Sequence, residues 1–245
     1  MAFDGGTATI TTQENESWQC FKVIVPPGAL GWDLRLDSVT SGQPQIVVRR
    51  ESAPDQLGTF LNNNPSQPWS VGSATAWPTN AQITPTHDWT GVVQDAKGTS
   101  HDGRIFAFGL GNPLEPGNYF VGVRSASGSS LPIGYTLSSR GVGPGFAIPV
   151  TLVAFAGGSA TYGPLPPREA AYFSVVVPPG AANWQFNATT TSGDVMGALQ
   201  EDIIPSIETS VFSPTELQGG RKLQKRGAEQ YSLTRLRQLV FGLLW

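Results

Sequence analysis

Cysteine and histidine are nearly absent from this chain, and their scarcity removes whole classes of chemistry. The single cysteine, Cys20, rules out an intrachain disulfide framework and any cysteine-rich zinc site. Beside the Phe21 strand it reads as a half-buried structural thiol rather than a nucleophile. Only two histidines occur, His87 and His101, which leaves few routes to acid–base catalysis. Charged residues make up 13% of the chain, well under the usual quarter. The net charge of −3 gives no global attraction to nucleic acid or to an anionic membrane. No apolar run approaches the roughly 18 residues that span a bilayer. Residues 1–20 carry neither a basic n-region nor an apolar h-region, so no signal peptide is visible. A Gly-x-Ser-x-Gly elbow, a glycine-rich phosphate loop, a Cys-x-x-Cys pair and a basic-aromatic stripe are all missing.

What the chain does have is an internal repeat. Ala2-Phe3-Asp4-Gly5-Gly6-Thr7-Ala8-Thr9 returns as Ala154-Phe155-Ala156-Gly157-Gly158-Ser159-Ala160-Thr161, 152 residues later. Phe21-Lys22-Val23-Ile24-Val25-Pro26-Pro27-Gly28-Ala29 returns as Phe173-Ser174-Val175-Val176-Val177-Pro178-Pro179-Gly180-Ala181, and Trp32 as Trp184. From residue 2 to residue 32 the offset holds without a gap, with 14 of 31 positions identical. Duplication of this kind marks an array of modules. Two units are therefore expected, residues 1–146 and 147–245, joined by the Gly- and Pro-rich stretch 141–149. Because the first copy starts at Ala2, directly after Met1, the chain reads as a piece of a longer protein.

The local pattern is that of short strands. Phe21, Val23 and Val25 share one face, and Pro26-Pro27-Gly28 turns the chain. Trp32, Leu34 and Leu36 then alternate with Asp33, Arg35 and Asp37, the signature of a strand with one face in the core and one in water. Gln45–Arg49, 104–110, 118–123 and 134–138 follow as further strands. The second copy repeats the order with strands at 172–177, 184–189 and 195–200, one residue shorter after Trp184. Between them, residues 53–104 form an insertion of irregular texture with Trp69, Trp77 and Trp89. The fold class expected is all-β: an antiparallel β-sandwich or jelly roll followed by a second, partial copy. From Gln218 the composition turns basic. Ser232 then caps an expected C-terminal helix with Leu233, Leu236, Val240, Leu243 and Leu244 on its apolar face. Membrane contact by residues 232–245 is not the favoured reading of that helix.

The order Phe-x-Val-x-Val-Pro-x-Gly, a polar glycine turn, Leu114-x-Pro116-Gly117-x-Tyr119-Phe-Val-x-Val123 and a closing Tyr135-Thr-Leu137 resembles the bacterial pre-peptidase C-terminal domain. The likeness covers most of residues 15–140 and about 165–210. It implies a small jelly-roll-like sandwich, appended to secreted peptidases or strung in tandem in surface proteins, with no catalytic residue to carry over. Some members bind calcium or an insoluble substrate, so calcium enters by resemblance alone. Its clustered carboxylates find no match here, because Asp33 and Asp37 become Gln185 and Thr189. The second copy shows neither a Pro-Gly-x-Tyr strand nor a Tyr-Thr-Leu strand, and so is expected to be truncated, with an atypical basic tail at 218–245.

Candidate sites lie in the insertion. Trp69, Trp77 and Trp89 offer flat indoles for stacking on a polymer; the competing reading is that they pin the loop to the sandwich. His87-Asp88 and His101-Asp102 are a candidate metal set of nitrogen and oxygen ligands, against an ordinary reading as turn residues. Gly98-Thr99-Ser100 resembles the nucleophile tripeptide of subtilisin-like proteases, but its flanking residues are absent. The leading expectation is a non-catalytic accessory module of a larger secreted or cell-surface bacterial protein. Its partners would be the other domains of that parent and a polysaccharide or extracellular protein polymer. The alternative is a secreted hydrolase using His87 or His101 with a nearby carboxylate.

Overall fold

The computed structural model describes residues 1–57, 77, 82–84, 105–108, 114–166, 169–193, 196–201, 204–205, 221–224, 229–234 and 239–244. Among them the chain is all-β, with no helix. The first eight strands are β1 (Gly6–Gln13), β2 (Gln19–Val25), β3 (Gly31–Ser41), β4 (Pro44–Arg50), β5 (Gln82–Ile83), β6 (Ile105–Phe108), β7 (Gly117–Ser125) and β8 (Ile133–Val142). They make two antiparallel four-stranded sheets, ordered β1-β8-β3-β6 and β2-β7-β4-β5.

Side-chain alternation decides what lies between these sheets. Val23 and Val25 from β2, Trp32, Leu34 and Leu36 from β3, and Ile46 and Val48 from β4 point inward and are buried. Tyr119, Val121 and Val123 from β7 and Ile133, Tyr135 and Leu137 from β8 complete the layer. Trp32 Nε1 donates to Ser139 Oγ at 2.8 Å, which satisfies its one polar atom inside the core. The Tyr135 hydroxyl does the same by donating to Gln13 Oε1 at 2.8 Å. The threonine-rich β1 has little apolar alternation of its own. It forms because the edge of β8 is there to pair with, from Gly6 opposite Ser139 to Gln13 opposite Ile133.

Seven further strands follow: β9 (Val150–Leu152), β10 (Ala170–Val175), β11 (Asn183–Ala188), β12 (Met196–Glu201), β13 (Arg221–Gln224), β14 (Glu229–Thr234) and β15 (Leu239–Leu244). Their sheets are ordered β13-β12-β15-β10-β9 and β11-β14. Laid on the first unit, β10-β15-β12-β13 takes the places of β2-β7-β4-β5, and β11-β14 those of β3-β6. The register agrees residue for residue. Cys20 faces Gly122 and Tyr172, its counterpart, faces Gly242; Trp32 faces Phe108 and Trp184 faces Leu233. A second core gathers Ala171, Phe173, Val175, Trp184 and Leu199.

Two expectations about the tail are corrected here. Ser232 caps no helix: it lies within β14, and Leu239–Leu244 is a strand. The apolar run Leu239-Val240-Phe241-Gly242-Leu243-Leu244 is long enough for a buried strand and is ambiguous with a helix by pattern alone. It is paired on both sides, by β10 and by β12, which is where a near-continuous apolar strand belongs. The second copy also keeps a closing central strand, because Leu239-Val240-Phe241-Gly242-Leu243 stands where Tyr119-Phe120-Val121-Gly122-Val123 stands in the first. The counterpart of β8 is not among the described strands. Consistently, residues 158–165, the counterpart of β1, are not a strand.

Candidate functional site

The stretch joining the two units is a built structure rather than a loose connection. Strand β8 runs to Val142, and Val142 bridges Ile148 across a tight loop. Gly143 N–H donates to Ile148 O at 2.9 Å, and Ile148 N–H donates back to Gly141 O at 3.1 Å. Asp4 Oδ1 accepts from the Gly141 amide at 2.8 Å and from the Ala147 amide at 3.2 Å. Phe146 packs edge-on against Phe3, centroids 5.4 Å apart. Gly141 passes between those two rings: a Cβ there would stand 2.6 Å from the Phe3 ring and 2.8 Å from the Phe146 ring. The expected linker at 141–149 is thus pinned at both ends.

Beside it lies a group of four charges. Asp33, on the face of β3 expected to meet water, is instead fully buried, and Arg35 nearly so. Arg35 grips Asp33 with two parallel hydrogen bonds, Nε to Oδ1 at 2.7 Å and Nη2 to Oδ2 at 2.9 Å. Arg140 of β8 donates from Nη2 to the same Asp33 Oδ1 at 3.1 Å. Glu169, just ahead of β10, closes the set: its Oε2 is 3.0 Å from Arg140 Nη2 and its Oε1 is 3.3 Å from Arg35 Nη1. Two arginines and two carboxylates cancel in charge, so no net charge is buried. Burial works against the guanidinium charge of Arg35, but the Asp33 hydrogen bond and charge outweigh it and raise its pKa. Arg140 is raised in the same way, against its own burial, by Asp33 and Glu169.

The second unit brings Glu169 and Tyr172 up to the buried Asp33 and Arg35. Tyr172 of β10 is enclosed near this group, close enough for all four charges to act on its hydroxyl. That hydroxyl is buried with no hydrogen-bond partner. A buried donor left unmade costs about 1–3 kcal/mol. Tyr172→Phe is therefore expected to leave the fold intact and raise stability by about 1 kcal/mol, read as the urea midpoint at unchanged slope. An unchanged or lower midpoint would show that the hydroxyl is satisfied.

Three tyrosines make the protein sensitive to base. Burial raises the pKa of Tyr119, Tyr135 and Tyr172 above the ordinary tyrosine value. Each phenol is then held protonated more firmly folded than unfolded. That contribution is complete below the unfolded value near about 10 and declines as pH rises through it towards the folded one. Denaturation midpoints measured from pH 8 to 11 should accordingly fall above about pH 10, and a flat profile would contradict this.

Of the three insertion tryptophans, one lies among the described residues, and it faces inward. Trp77 is 4% exposed. Its ring stands edge-on to Tyr119 at 5.2 Å, with Trp32 on Tyr119 at 5.7 Å. Its backbone N–H donates to Glu115 Oε2 at 2.7 Å. Glu115 also meets Arg50 Nη1 at 3.4 Å, and its carbonyl accepts from the Tyr119 hydroxyl at 2.9 Å. As a member of a stacking platform Trp77 is corrected: an enclosed indole presents no face to a ligand. Trp69, Trp89, His87, Asp88, His101 and Asp102 lie outside the described residues, as do Gly98, Thr99 and Ser100.

Cys20 is also corrected, being exposed rather than half-buried. Desolvation by its neighbours still raises its thiol pKa, which keeps little of it as the reactive thiolate at neutral pH. Among the described residues no group of three or more His, Cys, Asp or Glu side chains is placed to hold a metal ion. The Asp33 carboxylate is committed to two guanidinium groups.

The junction was missed by sequence reasoning, although it left a trace. Asp4, Asp33 and Arg35 are positions where the repeat changes, to Ala156, Gln185 and Asn187. Gln185 and Asn187 are exposed in the second unit. Asp33 and Arg35, among the charges that fail to repeat, lie in the group that Glu169 joins from the second unit. No protein-family profile matches the chain, and a search of curated proteins finds no match.

Proposed function

We propose that this chain is a non-catalytic structural module of a larger secreted or cell-surface protein, and that it sets the distance and orientation between the parts on either side. The junction carries this reading. A flexible tether would leave its linker solvated and its module faces polar. Here the linker is hydrogen-bonded along its length, and Glu169 of the second unit pairs with Arg35 and Arg140 of the first. The resemblance to pre-peptidase C-terminal domains supports the accessory role. Polymer binding, if the insertion performs it, falls to Trp69 and Trp89, since Trp77 is enclosed.

The test is backbone ¹⁵N relaxation on the whole chain. Both units are expected to tumble as one body, with a single rotational correlation time. Two distinct correlation times would remove the spacer reading, whatever ligand the chain binds.

A further inference from the structure

The repeat places a second strand-docking site on the first unit. In the second unit β9 lies parallel to the outer edge of β10, with Val150 opposite Tyr172, Thr151 opposite Phe173 and Leu152 opposite Ser174. The next residue, Val153, donates its N–H to Ser174 O at 2.9 Å. Shifted back by the repeat offset, Val153 becomes Met1 and Ser174 becomes Lys22. That bond exists too: the Met1 amino group donates to Lys22 O at 2.9 Å. The first unit therefore holds the last contact of the same ladder, aimed at the same edge.

Burial along the edge follows the presence of β9. Phe173 is buried beside it, while its counterpart Phe21 is only partly so. Cys20 is exposed where Tyr172 is enclosed, although the inter-unit contact adds to the covering of Tyr172. Two residues beyond the ladder the difference vanishes: Ile24 is 65% and Val176 57% exposed. Strand β2 ends its sheet, and neighbouring residues of a strand turn their N–H and C=O groups to alternate sides. Because the Lys22 carbonyl faces outward, the backbone groups of Cys20 face outward as well.

We infer that the β2 edge at Cys20–Lys22 is a docking site for an extended strand with the chemistry of Val150-Thr151-Leu152, running parallel to β2 and leading into Met1. The occupant is the tail of a like module arriving from the N-terminal side, as β9 arrives from the first unit. Strand addition of this kind gains its affinity from main-chain hydrogen bonds, and a covalent connection supplies the high effective concentration that three residue pairs need. The inference rests on the array reading but fails separately from it, since relaxation of the parent chain is blind to this edge.

The experiment fuses Ile-Pro-Val-Thr-Leu directly ahead of Met1 in the full chain, beside a Gly-Ser extension of equal length. Amide exchange at Cys20 and Lys22 is the readout. The first extension should slow both amides by about fivefold or more relative to the second, the effect of one backbone hydrogen bond each, with the protein remaining monomeric. Equal rates in the two extended chains would overturn the inference. Slowing that depends on protein concentration would also overturn it, because the strand would then come from a second copy.

Discussion

Asp33→Ala is expected to destabilise the protein by about 3–5 kcal/mol, the cost of removing one partner from a buried ion pair. The loss is large because Asp33 is the centre of the group. It takes two hydrogen bonds from Arg35 and two from Arg140, and its removal takes from both guanidinium groups the carboxylate they share. Glu169→Ala should cost far less, about 1 kcal/mol or under, because Glu169 and Arg140 are each 28% exposed and water screens them. A sharper variant separates the junction from the fold. Asp33→Gln with Arg35→Asn installs the residues that the second copy carries at these positions. The second unit forms the corresponding strand with them, so the first unit should still fold. The units should nevertheless come apart, giving two thermal transitions where the parent shows one. A single transition in the double variant would mean that the pinned linker alone couples the units.

Trp77→Ala carries the second large effect, about 3–5 kcal/mol lost from the first unit. The indole fills the end of the core against Tyr119, and truncation opens a cavity that the rigid sheets cannot close. The same substitution should leave any adsorption to cellulose, chitin, xylan or collagen unchanged under conditions where the protein stays folded. A stacking role predicts the reverse, with normal stability and lost adsorption. Urea denaturation and a pull-down on one preparation decide between them.

The strands of the first unit were legible because their periodicity is local. Phe21, Val23 and Val25, or Trp32, Leu34 and Leu36, announce a buried face within a few residues. Tyr119 and Tyr135 were legible as closing strands through their turn residues. β1 was not, since a threonine-rich segment becomes a strand only when the distant edge of β8 accepts it. Asp33 and Arg35 were misplaced for a related reason: alternation says which residues share a face, not whether another unit covers it. β15 escapes a reading keyed to the Pro-Gly-x-Tyr turn, because the second copy preserves only the strand after it, down to Gly242 opposite Tyr172. The information lay in comparing the copies. Where Phe, Val, Pro-Pro-Gly and Trp repeat, they build each sandwich; where Asp4, Asp33 and Arg35 do not, they join the two.

The central claim, that the two units are held at one fixed orientation, is tested most directly by a distance between them. Cys20 is exposed on the first unit, and Asn187→Cys supplies a second exposed site on the other. Spin labels on the two should give one narrow distance distribution, kept at high salt because Asp33 and Arg35 are shielded from solvent ions. Asp33→Ala should broaden it. A broad distribution in the parent chain would contradict the account, leaving two sandwiches on a tether and no spacer.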